Sequence, residues 1–376
     1  MHQGNGRPAL AGPIGVRLAI WRVRRGMSVA DLAARCGLAP ERIDGLESGE
    51  EWVDRRGSLA VLSSALRLDP GELTGQPYPP AGEEHGQARA VAFHLRRAIA
   101  KDRPAGAVAV TVEELAARTE AVAADAAGGD EQALAAGLPG LISDSDALLA
   151  MARAAQRDRV AQLRGRVHVV AAGLLRRLGY RDLAWLLLHR AWVGAAEPPA
   201  VLVEEVRLLI DMGLPEYALA RAERAGSEGR EEGLPLLVAF AHAMAGRPGM
   251  AARVLQVAGR EAGDAAAAAR VAAARVAVAV ECGEVEEAAE GARSLDVAAL
   301  EPAGRVGPLV AAAAAEARRE DIGQAAAWLR AAEEAAPLWL RLDPFARELL
   351  TALPARTGGT AEAALLHQMA ARAGLR

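Results

Sequence analysis

The stretch RGMSVADLAARCGLAPERIDGLESG, residues 25–49, decides the fold of the N-terminal part of this chain. Ser28 is placed to cap a helix over residues 29–36, because its hydroxyl can accept from the free N–H groups of the first turn. Gly37 breaks that helix, and Pro40 opens another over residues 40–48, since a proline is tolerated in a first turn. The spacing therefore predicts two short helices joined by a tight turn.

Helical spacing of apolar residues extends this unit in both directions. It predicts a preceding helix over residues 14–25 and a following one over 58–68, and Asp69-Pro70-Gly71 starts a short fifth helix. We therefore predict an all-α N-terminal domain of five helices over residues 14–74.

Apolar, small and polar residues recur through this domain at fixed positions: Ile14-Gly15, Arg17-Leu18, Arg25-Gly26-Met27-Ser28, Leu32-Ala33, Gly37-Leu38, Ile43, Leu46-Glu47-Ser48-Gly49, Leu59, Leu62, Ala65-Leu66, Leu68, Gly71 and Leu73. Over about 60 residues this pattern resembles the Cro/C1 (XRE) helix-turn-helix family. In that family the third helix lies in the major groove of double-stranded DNA, and a homodimer reads two half-sites. The resemblance implies the same partner and the same assembly here.

The resemblance also implies which residues would contact DNA. Its base-reading positions, at and after the start of the third helix, correspond to Ala39, Pro40, Glu41, Arg42 and Asp44. Its phosphate-contacting positions correspond to Arg17, Arg22, Arg25 and Arg35, together with the helix start at Ser28.

The chain departs from the family pattern in charge and at two positions. Val29 stands where the family usually has Gln, and Gly45 stands where it usually has a basic or polar residue. Residues 1–80 hold ten Arg against nine Asp and Glu, and phosphate contacts supply most non-specific DNA affinity. An alternative therefore stays open, in which the protein is an interaction scaffold with a degenerate helix-turn-helix that does not bind DNA.

The rest of the chain divides into three parts. Residues 75–86 are rich in Pro and Gly and predict a semi-rigid linker. Residues 87–160 predict a helical connecting or dimerisation region, with helices over 88–101, 111–127 and 131–136 and a long or broken helix over 144–178. Residues 161–376 predict an array of antiparallel helix pairs.

Internal repetition carries the prediction of this array. Turns between helices fall at Gly179-Tyr180, Gly213-Leu214-Pro215, Gly246-Arg247-Pro248, Gly283-Glu284 and Glu320-Asp321, and each is followed by an Ala-containing phrase. A period near 34 residues, with a helix, a Gly turn and an Ala-rich helix, is typical of TPR-like α-solenoids. The fold class expected is all-α, with a helix-turn-helix domain followed by a TPR-like array.

The segments Leu178-Gly179-Tyr180-Arg181-Asp182-Leu183-Ala184-Trp185 and Ala332-Glu333, with Ala336-Pro337, resemble actinobacterial helix-turn-helix regulators with TPR-like repeats. More distantly similar are the peptide-responsive regulators of the Rap–NprR–PlcR–PrgX–Rgg type. The resemblance implies a peptide, small-molecule or protein ligand on the concave surface of the array. Those receptors clamp peptides with Asn side chains, whereas Asn5 is the only Asn of this chain. Ligand-binding candidates on the first helices are instead Arg164, His168, Arg207, Asp211, His242 and Arg275.

Composition and motifs bound the remaining possibilities. Hydrophobic residues make up 52% of the chain but aromatic residues only 3%, so Ala, the best helix former, dominates the apolar content. No phosphate-binding Gly loop, HExxH motif, GxSxG elbow or close Cys/His spacing occurs, so we expect no enzyme, cofactor or metal site. Cys36 and Cys282 predict two reduced thiols. The most apolar stretch, residues 265–280, contains Arg270 and Arg275, so we expect a cytoplasmic protein without a membrane span.

Overall fold

The structure is a computed structural model and describes residues 12–100, 110–191, 199–224, 233–357 and 361–375. Every regular element in these ranges is helical, so the predicted all-α class is confirmed. The α-helices are α1 (Pro13–Arg24), α2 (Val29–Cys36), α3 (Pro40–Ser48), α4 (Arg56–Leu66), α5 (Pro70–Thr74), α6 (Glu83–Ala100), α7 (Val112–Gly128), α8 (Glu131–Met151), α9 (Ala154–Arg177), α10 (Arg181–Ala191), α11 (Pro199–Asp211), α12 (Pro215–Arg224), α13 (Leu234–Met244), α14 (Pro248–Glu261), α15 (Ala265–Cys282), α16 (Val285–Arg293), α17 (Pro302–Arg318), α18 (Ile322–Ala335), α19 (Pro337–Leu342), α20 (Pro344–Ala352) and α21 (Ala361–Arg372).

Helices α1–α5 form a unit that we term the head, and each lies within two residues of its predicted bounds. The predicted cap of α2 is present, because the Ser28 hydroxyl accepts from the Asp31 N–H at 3.1 Å. The Asp31 carboxylate in turn accepts from the Ser28 N–H at 2.9 Å, which completes a capping box. Leu18, Leu32 and Ile43 are fully buried and hold the helices of the head together.

Helix α4 begins at Arg56, two residues before its predicted start at Ser58. The cause lies far away in the sequence. The buried carboxylate of Glu281 accepts from the Arg56 N–H at 2.9 Å and from the Gly57 N–H at 2.7 Å. A side chain from α15 therefore caps the N-terminus of α4. The sequence around α4 gives no sign of this distant cap.

Helices α9–α18 form five consecutive helical hairpins, which we term the array. The second helix of each hairpin follows the first after a short turn, and the first helices of successive hairpins contact one another. All five predicted turns are confirmed. In each, one residue adopts a positive φ: Gly179 (89°), Gly213 (72°), Gly246 (70°), Gly283 (82°) and Glu320 (64°). The next N–H donates to the carbonyl five residues earlier, at 2.8–3.0 Å, as in a Schellman motif.

Helices α7 and α8 pack against α9, and α6 packs on α8, around a second apolar core that includes Leu95, Leu115 and Leu138. Residues 131–151 form one helix, whereas the sequence predicted a break before residue 144. Pro139 lies inside this helix, and burial of apolar residues at helical spacing on either side outweighs the hydrogen bond that the proline removes.

The predicted linker, residues 75–86, is packed against the rest of the molecule. The Gln76 amide donates to the carbonyls of Arg177 at 3.3 Å and Leu342 at 3.2 Å, the Tyr78 side chain is buried, and α6 already begins at Glu83. The Pro/Gly composition predicts a semi-rigid segment, and it does not report which distant residues that segment contacts.

The head shares its apolar core with the end of the chain. Ile14 and Leu62 of the head belong to the same buried cluster as Leu349 and Leu366 of the C-terminal helices, and α1 contacts α20. The predicted boundary at residue 74 therefore separates helices that fold around one core, and head and C-terminal helices form one body.

Candidate nucleic-acid interface and its support on the array

The surface formed by α2, the turn after it and the start of α3 is open to solvent. Of the residues predicted to contact DNA, those left exposed are Arg17, Arg25, Ser28, Arg35, Ala39, Pro40, Glu41 and Asp44. Two of these arginines also donate weakly to backbone carbonyls of the head, Arg25 to Arg67 at 3.3 Å and Arg17 to Glu72 at 3.5 Å. The two-helix surface is therefore accessible, and the exposed charges on α3 are acidic.

Arg22, a predicted phosphate contact, is engaged inside the head. Its guanidinium donates two bonds of 2.6 Å to the carboxylate of Glu47, and a third of 2.9 Å to the carbonyl of Met27. The hydrogen bonds to Glu47 raise the pKa of Arg22 above its ordinary value. This bidentate pair ties α1 to α3, so in this conformation Arg22 acts within the fold.

Arg42, the only arginine of α3, is turned towards the array. Its guanidinium lies 2.7 Å from the carboxylate of Glu51, which also accepts from Arg318 of α17 at 2.5 Å. Arg42 and Arg318 line the same small cavity, together with Gly283 and Val285. Glu51 therefore holds the predicted base-reading arginine against the array.

The contact between the head and the array recurs at the same position of every hairpin, and we term this interface the joint. The residue two positions before the positive-φ residue of each turn touches the segment from Glu51 to Pro77. These residues are Arg177, Asp211, Met244, Glu281 and Arg318, in hairpin order. The segment runs along the row of turns in the opposite order, so that its start meets the fifth turn and its end meets the first.

The fifth, fourth and third turns hold the start of α4. Arg318 donates to the Asp54 carboxylate at 2.6 Å and to the Trp52 carbonyl at 2.9 Å. Glu281 caps α4, as described above. A Cβ placed on Gly57 would lie 2.6 Å from the Glu281 carboxylate and 3.3 Å from the Met244 carbonyl, so a larger residue would push the carboxylate away from the N–H groups that it caps.

The second and first turns hold the other end of the joint. Asp211 forms ion pairs of 2.5 Å with Arg56 of the head and with Arg176 of α9. Arg181, just after the first turn, donates to the Gln76 side chain at 2.7 Å. Burial would raise the pKa of Asp211, but Arg56, Arg176 and Arg181 outweigh it and lower the pKa to about 2. Asp211 is thus a charged link between head and array.

A second buried carboxylate fastens the head from the C-terminal side. Glu348 of α20 accepts from the Ile14 N–H at 2.6 Å, near the start of α1. Burial raises the pKa of Glu348 to about 7, partly offset by backbone N–H donors from Ile14 and Val53. The same cause raises the pKa of Glu281. Sequence reasoning missed both; the available signal was a single acid in a largely apolar helix, as in VAAARVAVAVEC, residues 271–282.

The six predicted ligand-binding residues are not brought together into one site. Arg164 pairs with Asp146 at 2.5 Å, and His168 is fully buried, which lowers its pKa to about 4. Arg207 pairs with Glu204 at 3.0 Å, while Asp211 belongs to the joint. His242 is half-buried near the end of α13, and Arg275 is exposed on α15.

Two further properties concern only the described residues. Among them, no group of three or more His, Cys, Asp or Glu side chains is arranged to hold a metal ion. One helix, Glu131–Met151, is long and apolar enough to cross a membrane by length and composition, with a mean hydropathy of 1.2. Its buried residues Leu134, Leu138 and Leu141 pack in the core beside α6 and α9.

Comparison of the chain with protein-family models, with curated proteins and with solved structures found no match.

Proposed function

We propose that this chain is a sequence-specific DNA-binding transcription regulator of the helix-turn-helix type, with a TPR-like array that receives a signal. The observation that carries the proposal is the exposed surface of α2 and α3. A Gly turn joins these two helices. At the start of α3, no other part of the described chain covers Ala39, Pro40, Glu41 and Asp44.

The exposed residues suit a recognition helix with unusual preferences. A carboxylate such as Glu41 or Asp44 can accept a hydrogen bond from the N4 amino group of cytosine. Arg35, Arg25 and Arg17 would contact phosphates on either side. Arg42 could join them by leaving Glu51, and a half-exposed ion pair of this kind costs only about 1 kcal/mol or less to break.

The joint supplies a route from the array to DNA. In each hairpin the residue two positions before the turn touches the segment from Glu51 to Pro77, so a ligand that changes the stacking of hairpins would displace α4 and the helices packed on it. The signal would be a peptide, a small molecule or a protein partner. We further propose a cytoplasmic homodimer, because one such head reads one half-site. Val16, Ile20 and Val23 form an exposed apolar stripe on α1 that a second copy would cover.

An interaction scaffold is the second candidate, and the state of two arginines favours it. Arg22 is occupied by Glu47 and Arg42 by Glu51, so two of the five predicted arginine contacts are neutralised within the fold. In that case the head serves to brace the array, and the array binds another protein.

Selection of binding sites from a random pool of DNA duplexes by the purified full chain separates the two candidates. The regulator predicts an enriched sequence, and Arg42→Ala should relax its preference at one position by about 1–3 kcal/mol. Recovery of no enriched sequence, with an intact fold, would favour the scaffold.

A further inference from the structure

A partly enclosed cavity of about 270 Å³ lies where the head meets the third, fourth and fifth hairpins. Its lining includes Phe240 of α13, Ala277 of α15 and Ala311 of α17, which are the first helices of these hairpins. Arg56 of the head and Phe345 of α20 also line it, with the Arg56 guanidinium 5.3 Å from the centre of the Phe345 ring. We term it the inner cavity, and it borders the head, the array and the C-terminal helices at once.

Apolar side chains make up most of the lining of the inner cavity. Leu237 and Phe240 belong to α13, Ala273 and Ala277 belong to α15, and Val280 lies further along α15. All of these residues are only half-buried, so part of their apolar surface remains uncovered beside the cavity. Protein interiors are close-packed and rarely contain a void of this size, so apolar atoms added here would gain contacts.

Two charged side chains of the lining, Asp54 and Arg56, already have partners of opposite charge. The Asp54 carboxylate accepts from Nε of Arg318 at 2.6 Å, and the Arg56 guanidinium lies 2.5 Å from the carboxylate of Asp211. Each of these two charges is therefore neutralised by a residue that lies outside the lining.

The other two charged side chains of the lining, Glu281 and Asp343, accept hydrogen bonds from the backbone. Glu281 caps the start of α4, and Asp343 accepts from the N–H groups of Phe345 and Ala346 at 2.9 Å. Burial raises the pKa of both carboxyl groups, which opposes their ionisation. Because a water molecule needs about two to four polar partners, a lining whose charged groups are already bonded favours an apolar occupant.

We propose that the inner cavity binds one small, uncharged, apolar organic molecule, such as a bicyclic aromatic or alicyclic compound. An apolar cavity of about 150 Å³ in another protein holds benzene, so a cavity of about 270 Å³ has room for about ten carbon atoms. The volume is below the roughly 300 Å³ at which drug-sized pockets begin, so peptides are excluded by size. Charged molecules are excluded because the charged groups of the lining are already paired, and burying an unpaired ion is costly.

The inner cavity adjoins two links of the joint. Glu281 and Asp54 both line it, and they hold the start of α4 and Arg318 respectively. Regulation by this ligand rests on the proposed function, in which the array receives a signal. A ligand in the inner cavity would contact head and array together and tighten the joint, which keeps Arg42 on Glu51 and lowers DNA affinity.

Equilibrium dialysis of the full chain against naphthalene tests the site, with 2-naphthoate and 1-naphthylmethylammonium as charged analogues of similar size. We expect saturable binding of one naphthalene per chain, and binding of each analogue weaker by about tenfold or more, since the analogues would bury a charge. Absence of saturable naphthalene binding by the folded chain would overturn the proposal. Equal or tighter binding of either analogue would overturn the assignment of an uncharged ligand.

Ala277→Leu fills part of the inner cavity and should weaken naphthalene binding by about tenfold or more. Leu is nearly as good a helix former as Ala, so α15 should persist. Ala252→Leu is the matched control, because Ala252 is exposed on α14 and lies outside the lining, and it should bind as wild type. Ala273→Leu, one turn earlier on α15, replaces Ala277→Leu if that variant does not fold. Unchanged affinity in a folded cavity-filling variant, or an equal loss in Ala252→Leu, would overturn the proposal.

DNA affinity measured by fluorescence anisotropy, with and without saturating naphthalene, is a separate readout. We expect naphthalene to lower DNA affinity by about fivefold or more in wild type and to leave it unchanged in Ala277→Leu. Unchanged DNA affinity in wild type would overturn regulation by this ligand. Lack of DNA binding in both conditions would refute the regulator, while the dialysis still decides the site.

Discussion

Replacing Asp211 by Asn should loosen the joint at its most strongly charged link. The carboxylate pairs with Arg56 and Arg176 at 2.5 Å and is largely buried. Its pKa is lowered from 3.8 to about 2, which corresponds to about 2 kcal/mol of stabilisation when the group is ionised. Breaking a buried ion pair from one side typically costs about 3–5 kcal/mol. We therefore expect Asp211→Asn to lower the free energy of unfolding by about 2–5 kcal/mol.

Urea denaturation followed by circular dichroism measures this loss. Glu216→Gln is the matched control. Glu216 lies on α12 and forms an exposed ion pair with Arg247, so this substitution should lower the free energy of unfolding by less than about 1 kcal/mol. A double-mutant cycle with Arg56→Gln should show a coupling above about 1 kcal/mol, because the two residues share one ion pair. Equal effects of Asp211→Asn and Glu216→Gln, or additive effects of Asp211→Asn and Arg56→Gln, would refute the role of Asp211 in the joint.

Three further substitutions test Glu348, Glu51 and Gly57. Glu348 has a folded pKa of about 7 against an ordinary 4.5, so its contribution favours folding below about pH 4.5 and is lost as the pH rises through 7. Between about pH 5 and about pH 8, the free energy of unfolding from urea titrations should therefore fall by up to about 3 kcal/mol more in wild type than in Glu348→Gln. A difference between the two proteins that does not depend on pH would contradict this. Glu51→Gln should release Arg42 from its ion pair and raise DNA affinity roughly two- to fivefold at fixed salt, as measured by fluorescence anisotropy. Unchanged or weaker binding would argue against the interpretation that Glu51 keeps Arg42 from contacting DNA. Gly57→Ala should destabilise the fold by more than about 1 kcal/mol in thermal unfolding, because its Cβ would meet Glu281, although helix propensity alone favours Ala. Gly304→Ala in α17, where a Cβ meets nothing within 4 Å, is its control and should be neutral or stabilising; equal effects of the two would count against close packing at Gly57.

The local elements could be predicted from the sequence because their causes are local. Ser28 and Asp31 cap α2 within one turn, and Gly213 and Gly283 end helices by adopting a positive φ. Each of these effects acts over about five residues. Glu320 shows that a turn can form without glycine when the flanking helices require it.

The joint could not be predicted, because its partners are distant in sequence. Glu281 is 224 residues from Gly57, and Gln76 is 266 residues from Leu342. No sequence feature near Arg56 or Pro77 indicates these contacts. The recurrence of Arg177, Asp211, Glu281 and Arg318 two positions before their turns is visible in the sequence, but its meaning needs the packed segment opposite.

The predicted site residues also differ in whether their state depends on local sequence or on distant residues. Exposure at Arg35, Glu41 and Asp44 agrees with a surface helix pair, whereas the pairing of Arg42 depends on Glu51 and through it on Arg318. A list of charged residues cannot distinguish a free arginine from one held by the fold.

The most direct test of the central claim is a salt titration of duplex DNA binding by the full chain and by Arg35→Ala. Arg35 is exposed on α2 and is a proposed phosphate contact. If the head binds DNA through this surface, we expect measurable binding at low salt, an affinity that falls linearly with salt concentration on a log–log plot, and a slope shallower by about one for Arg35→Ala. Absence of binding at low salt by a folded chain, or an identical slope for the variant, would contradict it.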